Sequence, residues 1–277
     1  MLPPLIETDA LEAALSAPDT RIVDASWHLS GHPGWPDYVQ QRIPGAIWFD
    51  LEEHSDPATC LPHMVPPLED LAKGMGTLGL QRTDHIVVYD TVGLRSAPRL
   101  WWMLRLLGAE DVQVLNGGLP KWVREGRPVV SGDPRPAKPG AFRWHPQAHL
   151  LAGLREVEAA LEGTTQVVDA RSTARFQGLE PEPRAGLRSG HMPGAINVPF
   201  TTLLSDEGTL LPKERLRAIL AANGIDLSRP IITSCGSGVT AAIVSLALAD
   251  LGIESRVYDG SWAEWGCADA GTPVTVD

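Results

Sequence analysis

One cysteine of the chain stands in a setting that predicts a reactive thiolate. Cys235 follows the apolar run Pro-Ile-Ile-Thr-Ser and precedes Gly-Ser-Gly-Val-Thr, so a glycine-rich loop comes directly after a predicted strand. Because Gly236 and Gly238 allow the loop to curl, we expect successive backbone N–H groups to converge above the sulfur. The helix predicted to follow Thr240 adds its N-terminal donors and the positive end of its dipole. This arrangement stabilises an anion at sulfur and favours a nucleophile over a structural thiol.

The remaining cysteines do not form a recognisable site. Cys60, Cys235 and Cys267 are too few and too scattered for a disulfide framework, and no pair has C-x-x-C or zinc-ligand spacing. A reducing compartment is the simplest location for such a chain. The sequence assigns no role to Cys60 or Cys267.

The composition of the 277-residue chain, with 43% hydrophobic and 21% charged residues, predicts a folded protein of about two domains. Lys and Arg number 23 against 34 Asp and Glu, and the formal net charge of −11 argues against nucleic acid or anionic membranes as partners. No apolar run reaches the roughly 18 to 20 residues of a membrane span, and the N-terminus lacks a signal-peptide pattern. We expect a soluble, cytoplasmic protein.

The two halves of the chain carry the same motifs in the same order. RIVDAS is followed by IPGAIWFD, as QVVDAR is later followed by MPGAINVPF; HIVVYD precedes NGGLPKW, as PIITSC precedes DGSWAEW. The matched residues Asp24 and Asp169 lie 145 positions apart, and so do Asp90 and Cys235. This pattern indicates a duplicated domain. The proline-rich segment 136–146 predicts an extended linker between domains at 1–135 and 147–277.

Each copy alternates short β-branched runs with segments of helical periodicity. The predicted helices cover 155–161, 214–222 and 239–251. Six short apolar runs have the character of strands buried on both faces of a parallel sheet: 22–23, 86–88, 112–115, 167–168, 231–232 and 256–258. The sequence therefore predicts the α/β class, as two tandem domains that each contain a mostly parallel sheet flanked by helices.

Taken together, these motifs resemble the tandem rhodanese family of sulfurtransferases over nearly the whole chain. The resemblance rests on D-A-R, G-H-M-P-G-A-I-N-V-P, the Cys235 loop and D-G-S-W-A-E-W, in duplicate. The loop Cys-Gly-Ser-Gly-Val-Thr is similar to that of members acting on 3-mercaptopyruvate, whereas thiosulfate-preferring members typically carry a cationic Cys-Arg-Lys-Gly loop. The resemblance implies that Cys235 takes up sulfur as a persulfide, and that the first domain, with Asp90 at the matching position, is catalytically silent.

The resemblance also implies a site for an anionic substrate. Arg175 and Arg184 match the arginines of the family's R-F-x-G-x-E-P-E-P-R stretch, and guanidinium groups bind carboxylates through paired hydrogen bonds. Two nearby arginines can outweigh distant acidic residues because screening limits charge effects to about 8 Å. Further substrate-binding residues are expected in the loop: Gly236, Gly238, Val239 and Thr240.

For proton transfer, similar proteins use a loop serine, a histidine and an acid arranged like a serine-protease triad. Ser237 matches the serine and His63 the histidine. The acid position is occupied by Glu52, where relatives usually have Asp, and Asp50 or Asp56 could take its place. A relay built from a first-domain histidine and a second-domain serine would lie in the domain interface.

The implied reaction transfers the sulfur of 3-mercaptopyruvate through Cys235 to a thiol, cyanide or a thioredoxin-like reductant, and releases pyruvate. It needs neither a metal nor an organic cofactor. Two alternatives stay open: a thiosulfate:cyanide sulfurtransferase, and a non-catalytic persulfide carrier module. A phosphatase with the same fold is disfavoured, because it needs arginine six positions after the cysteine, where this chain has Ala241.

Overall fold

The computed structural model describes residues 3–134 and 136–276, which divide into two compact units. Unit 1 comprises residues up to 56 together with 65–148 and 205–210. Unit 2 comprises residues 57–64 and 149–204 and those from 211 onward. The predicted domain limits at residues 1, 135 and 277 lie outside the described residues. The limits 1–135 and 147–277, with 136–146 between them, stay a prediction.

The sheet of unit 1 has five parallel strands in the order β1-β5-β4-β2-β3. The three longer strands are built from β-branched and aromatic residues, which suit a sheet covered on both faces. Val23 pairs with Val88, which in turn pairs with Val114, so the middle of the sheet is apolar throughout. The strands are β1 Leu5–Ile6, β2 Thr20–Asp24, β3 Ile47–Trp48, β4 His85–Tyr89 and β5 Val112–Leu115.

Five helices flank this sheet, and they lie along the chain between its parallel strands or after the last of them. The helix after β4 is buried along most of its length and carries Trp101 and Trp102 into the core. Trp122, in the helix after β5, joins a core cluster with Tyr38 and Tyr89. The helices are α1 Thr8–Ala14, α2 Gly34–Gln40, α3 Leu68–Thr77, α4 Ala97–Leu106 and α5 Gly118–Arg124.

Unit 2 repeats this topology with the strand order β6-β10-β9-β7-β8, again all parallel. Asp169 and Ser234 are paired at the carboxyl ends of its two central strands. Ligand sites of open parallel sheets lie outside this edge, where the strand order reverses. The strands are β6 Leu151–Ala152, β7 Gln166–Asp169, β8 Ile196–Asn197, β9 Ile231–Ser234 and β10 Arg256–Tyr258.

The helices of unit 2 include one that is apolar on every side. This helix, α9, is buried from Ala241 to Leu248, because it lies between the sheet and other elements of the unit. A 3₁₀ segment, Phe200–Leu203, contacts it. The helices are α6 Leu154–Glu162, α7 Thr173–Phe176, α8 Lys213–Ala222, α9 Ala241–Asp250 and α10 Ser261–Trp265.

The predicted fold class is confirmed: each unit is a parallel sheet flanked by helices. All six predicted runs lie in strands, but the two-residue strands β1, β3, β6 and β8 were not predicted. Residues 136–146, predicted as the linker, have no helix or strand and belong to unit 1, where Phe142 is buried and Gly140 N–H donates to Gly76 O. Within the described ranges, no helix combines the length and the apolar character needed to cross a membrane.

Candidate functional site

Cys235 lies at the carboxyl end of the central strand β9, at the start of the loop that leads into α9. Its side chain is buried, with 1% of the residue exposed. Gly238 has a φ of +77°, a left-handed conformation that favours glycine, so the chain can turn back over the thiol here. Thr240 is the N-cap residue of α9, as predicted, which points the N-terminal end of this helix at the loop.

Four N–H groups of the loop donate no hydrogen bond to any residue in the described part of the chain: those of Gly236, Ser237, Val239 and Thr240. Unpaired backbone donors in a mostly buried loop are costly unless a ligand accepts their hydrogen bonds. Their position beside a thiol and before a helix N-terminus is that of an anion-binding loop.

The loop is anchored by Ser261, which the sequence analysis did not single out. The hydroxyl oxygen of Ser261 accepts hydrogen bonds from the N–H groups of Cys235 and Gly238, each at 3.1 Å, and donates to Tyr258 O at 2.8 Å. Ser261 is fully buried and has a φ of +49°, which is uncommon for a residue with a side chain. The hydroxyl and the strained backbone together hold the start of the loop in one conformation.

The structure brings the predicted serine and histidine together. Nδ1 of His63 lies 3.0 Å from Oγ of Ser237, and both residues are buried. His63 belongs to the segment 57–64. This segment is part of unit 2, although the rest of that unit begins only at His149. Its backbone has a φ of +61°, so the segment is bent sharply at the residue that contacts the loop.

Glu52, the predicted acid, lies in unit 1. One of its carboxylate oxygens accepts a hydrogen bond from the indole N–H of Trp27 at 2.9 Å, and its own N–H donates to Asp50. Its part in the proton relay stays a prediction.

Arg175 lies against the loop. Its Nη2 atom is 3.1 Å from the point that a β-carbon on Gly236 would occupy, so a larger residue there would contact the guanidinium group. Arg175 is held by Glu182, which accepts hydrogen bonds from both Nε and Nη2. The side chain of Glu182 is almost fully buried, whereas 17% of the Arg175 side chain remains exposed.

A second arginine completes this network. Arg171 is buried and forms ion pairs with Glu182 at 2.8 Å and Asp169 at 2.7 Å, and its guanidinium lies 4.2 Å from the ring centre of Trp262. Burial opposes its charge, but the two carboxylates more than compensate and raise the pKa of Arg171. Two arginines and two carboxylates thus neutralise one another, and the network fixes Arg175 beside the loop.

Arg184 is half-buried and forms no ion pair or side-chain hydrogen bond within the described residues, so its guanidinium is available to a ligand. No contact places it against the loop, and its role stays a prediction. Arg188, in contrast, donates to the backbone oxygens of Gly266, Trp265 and Thr272. It fastens the C-terminal segment of unit 2.

The sequence did not indicate two residues that support the site: Ser261, which anchors the Cys235 loop, and Glu182, which binds Arg175. Ser261 stands in the DGSWAEW motif, and Glu182 stands between the two predicted arginines. The available signal for Glu182 is a carboxylate that stands between two arginines in the sequence. Among the described residues, the one cluster of three potential metal ligands lies in unit 1, at His28, His32 and Asp37.

Comparisons with known proteins agree on one family. The family described as the rhodanese-like domain matches residues 7–125 and 154–267. The chain is 43% identical to the 3-mercaptopyruvate sulfurtransferase of Escherichia coli K12, over 97% of this chain and 96% of that one. It is 42% identical to "Thiosulfate/3-mercaptopyruvate sulfurtransferase 1, mitochondrial" of Arabidopsis thaliana, over 95% of this chain and 76% of that one.

A similar solved structure is the crystal structure of SseA from Escherichia coli, described as a 3-mercaptopyruvate sulfotransferase with the rhodanese fold. It superimposes with a TM-score of 0.86 at 40% sequence identity, and the match covers 94% of this chain and 98% of that one.

Proposed function

The chain belongs to the family of proteins with rhodanese-like domains, and from this premise we propose that it is a 3-mercaptopyruvate sulfurtransferase. It transfers the sulfur of 3-mercaptopyruvate to Cys235 and from there to a thiol or cyanide acceptor, and it releases pyruvate. The family membership and the relatives at about 40% identity support the reaction class. The residue roles rest on the geometry of the Cys235 loop.

In the first half of the reaction, the Cys235 thiolate attacks the sulfur of the substrate. A sulfur–sulfur bond forms, the carbon–sulfur bond breaks, and its electron pair leaves on the carbon fragment as the enolate of pyruvate. The proton of the substrate thiol is given up by the new persulfide, and one proton must reach the enolate carbon. The half-reaction therefore converts a thiolate and a thiol into a persulfide anion and pyruvate without an external oxidant or reductant.

The single observation that carries the choice of donor is the hydrogen bond between Ser237 and His63 beside the thiol. A serine and a histidine in contact can shuttle a proton, and an enolate must be protonated before it leaves as pyruvate. Thiosulfate releases sulfite, a stable anion that needs no such proton. A buried proton-transfer pair at the loop is therefore of use for 3-mercaptopyruvate and of little use for thiosulfate.

The carboxylate of the substrate is bound by Arg175 and Arg184 in this proposal. Arg175 lies beside Gly236, within reach of a substrate whose sulfur contacts Cys235. Because the charges of Asp169, Arg171, Arg175 and Glu182 compensate one another, Arg184 supplies the net positive charge that an anionic substrate requires. The open N–H groups of Gly236, Ser237, Val239 and Thr240 stabilise the persulfide anion.

In the second half, an acceptor thiolate or cyanide attacks the outer sulfur and restores the Cys235 thiolate. A small-molecule donor and a thiol acceptor follow from the family. We further propose a thioredoxin-like reductant as the protein acceptor, and a cytoplasmic location in keeping with three unpaired cysteines. Glu52 is proposed to orient His63.

Thiosulfate is the competing donor, and the Arabidopsis relative carries both donors in its name. The test measures pyruvate released from 3-mercaptopyruvate with dithiothreitol, and thiocyanate formed from thiosulfate with cyanide. We expect 3-mercaptopyruvate to be preferred, and Cys235→Ser to lower both rates by at least about 1000-fold, because the nucleophile is lost. Cys60→Ser, which removes an exposed thiol, is the matched control and should leave both rates unchanged.

Ser237→Ala tests the proton-transfer role separately from the nucleophile. It should lower the rate with 3-mercaptopyruvate by about 100-fold and the rate with thiosulfate by less than about threefold. A preference for thiosulfate in the wild type, or equal losses for both donors in Ser237→Ala, would contradict the assignment of the donor. Inactivity with both donors would instead support the persulfide-carrier alternative.

A further inference from the structure

Two histidines and one aspartate of unit 1 converge on a single point near the carboxyl end of β2. Nε2 of His28 lies 3.1 Å from Oδ2 of Asp37, and Nε2 of His32 lies 3.2 Å from Oδ1 of the same carboxylate. All three candidate ligand atoms lie within 4.8 Å of one another. This cluster is not part of the Cys235 site, and the proposed sulfur transfer does not use it.

The backbone holds these residues in place. A turn after β2, closed by the hydrogen bond from Gly31 N–H to His28 O at 2.9 Å, brings His32 alongside His28. Gly31 has a φ of +80°, which this turn requires and which glycine adopts without strain. The chain then enters α2, whose first turn carries Asp37. The imidazole rings are packed edge to face, with 5.2 Å between their centres.

Each Nε2 atom lies close to a different oxygen of the Asp37 carboxylate, and the three ligand atoms lie within 4.8 Å of one another. A zinc ion bound at about 2.0 to 2.1 Å has neighbouring ligand atoms roughly 3.3 Å apart, so the side chains need only a small further approach to surround one tetrahedral ion. Imidazole nitrogens and a carboxylate select Zn²⁺ and similar transition-metal ions over Mg²⁺ and Ca²⁺, which prefer oxygen ligands. Zn²⁺ binds an imidazole nitrogen that carries no proton, so the ion would replace the contacts of both Nε2 atoms with the Asp37 carboxylate.

We propose that His28, His32 and Asp37 form a binding site for a divalent transition-metal ion such as Zn²⁺. The site has three protein ligands and one open position. His28 and Asp37 also line a pocket of about 470 Å³ that includes Thr91 and Leu119, so water or a small ligand can reach the fourth position. Three ligands with one open position are typical of zinc sites that exchange a ligand, rather than of closed structural sites.

The test is a calorimetric titration of the full chain with ZnCl₂. Exposed thiols also bind Zn²⁺, so all proteins carry Cys60→Ser and Cys267→Ser, which leave Cys235 in place. We expect one site in this parent protein, with its affinity lowered at least about tenfold by either His32→Ala or Asp37→Asn. More than half of the His32 side chain is exposed, so its loss should not disturb folding.

The matched control is His149→Ala. His149 is another exposed histidine, 3.6 Å from a single carboxylate, that of Glu254, and it has no second imidazole beside it in the described ligand clusters. His149→Ala should leave the Zn²⁺ affinity unchanged. Absence of a Zn²⁺ site in the parent protein, or equal affinity in the parent, His32→Ala and Asp37→Asn proteins, would overturn the proposal. Calorimetry measures Zn²⁺ binding and not sulfur transfer, so the result tests the metal site independently of the proposed enzymatic function.

Discussion

The loop after β4 in unit 1 and the loop after β9 in unit 2 occupy the same place in the two copies of the fold. In unit 1, the residue at the start of the loop is Asp90, and its buried carboxylate accepts five backbone hydrogen bonds of 2.7 to 3.0 Å. The five N–H groups belong to Val92, Gly93, Arg95, Ser96 and Ala97. In unit 2, the matching residue is Cys235, and several of the loop N–H groups remain open.

Both copies of the fold place backbone N–H donors in the loop after the matching strand; in unit 1 a carboxylate accepts them, whereas in the described part of unit 2 four of them have no acceptor. The Asp90 carboxylate shows that these N–H groups can converge on one negative charge. In the Cys235 loop, the matched N–H group of Gly238 donates to Ser261 instead, while the N–H groups of Ser237 and Thr240 stay open to an anion at the sulfur. The carboxylate of Asp90 thus ties the loop of unit 1 to the fold, and it is one of several differences from the loop of Cys235.

A second pair of matched residues extends the comparison to the neighbouring strand end. Asp169 of unit 2 forms an ion pair with Arg171. Arg171 also pairs with Glu182, which in turn pairs with Arg175. In unit 1, the matched Asp24 has only the hydroxyl and N–H of Ser26 at the position of that arginine. The buried carboxylate of Asp24 thus forms no ion pair with any residue that the structure describes.

The largest expected effect comes from removing the built-in anion of unit 1. Asp90→Ala leaves five N–H groups without their acceptor, three of them in buried hydrogen bonds, so the free energy of unfolding should fall by about 3 to 5 kcal/mol. The corresponding change in unit 2, Cys235→Ala, removes a small apolar side chain and should cost only about 1 kcal/mol. Urea unfolding measures both values.

Hydrogen exchange followed by mass spectrometry locates the effect of Asp90→Ala. Exchange should accelerate in peptides from β4 and α4 and remain unchanged in peptides from β9 and α9. Equal destabilisation by Asp90→Ala and Cys235→Ala would mean that the two loops are alike, and the comparison would fail.

The next effect concerns the unneutralised carboxylate of unit 1. Burial raises the pKa of Asp24 from its ordinary 3.8 to about 7, against hydrogen bonds from Ser26 and Tyr89, and the nearby charge of Asp90 adds to the increase. Between about pH 4 and pH 7, the folded protein therefore keeps a proton that the unfolded chain has lost. Stability falls as the pH rises through this window, and the loss is complete above pH 7, amounting to at most about 4 kcal/mol.

Asp24→Asn removes this titration. The variant should gain stability relative to the wild type as the pH rises from 4 to 7, and the difference should be constant above that, as measured by urea unfolding at each pH. Asp169→Asn is the matched variant in unit 2, and it should be destabilising throughout because it leaves Arg171 without one of its two carboxylates. A difference between Asp24→Asn and the wild type that does not vary with pH would refute the prediction.

Much of the fold could be predicted from the sequence, because its central strands are contiguous β-branched runs that recur in two copies. The two-residue strands were missed, since they are defined by their hydrogen-bonding partners and not by their composition. Cys235, Ser237 and His63 could be proposed from the sequence because each lies in a motif, and the structure places His63 in contact with Ser237. Even so, the sequence did not indicate that the segment containing His63 belongs to unit 2.

The residues that support the site were harder to predict, because their role depends on long-range contacts. Ser261 lies 26 residues from Cys235 along the chain, and only the pairing of β9 with β10 brings its hydroxyl to the loop. Glu182 carries charge that a sequence reading assigns to solvent, whereas in the fold it is buried between two arginines. Contacts of this kind need the sheet register before they can be inferred.

The smallest expected effect concerns the anchor of the Cys235 loop, at which the two units again differ. Gly118 is the match of Ser261 and has a similar φ of +56°, but a β-carbon there would lie only 2.5 Å from Asp90 O, so unit 1 has no room for a hydroxyl anchor. Ser261→Gly gives unit 2 the residue of unit 1. It removes the acceptor for the N–H groups of Cys235 and Gly238 while relieving the strained backbone, so overall stability should change little.

We expect Ser261→Gly to lower kcat for 3-mercaptopyruvate about fivefold, with KM nearly unchanged, because the thiol is positioned less well while the arginines are untouched. The rate at which iodoacetamide alkylates Cys235 should change with it, which a purely structural role would not require. Ser245→Ala is the control, since Ser245 is a buried serine of α9 whose hydrogen bonds go to Thr233 and Ser255 and not to the loop. If Ser261→Gly and Ser245→Ala leave kcat and the alkylation rate equally unaffected, the Ser261 hydroxyl does not position the thiol. The open N–H groups would then be what distinguishes the Cys235 loop from the Asp90 loop.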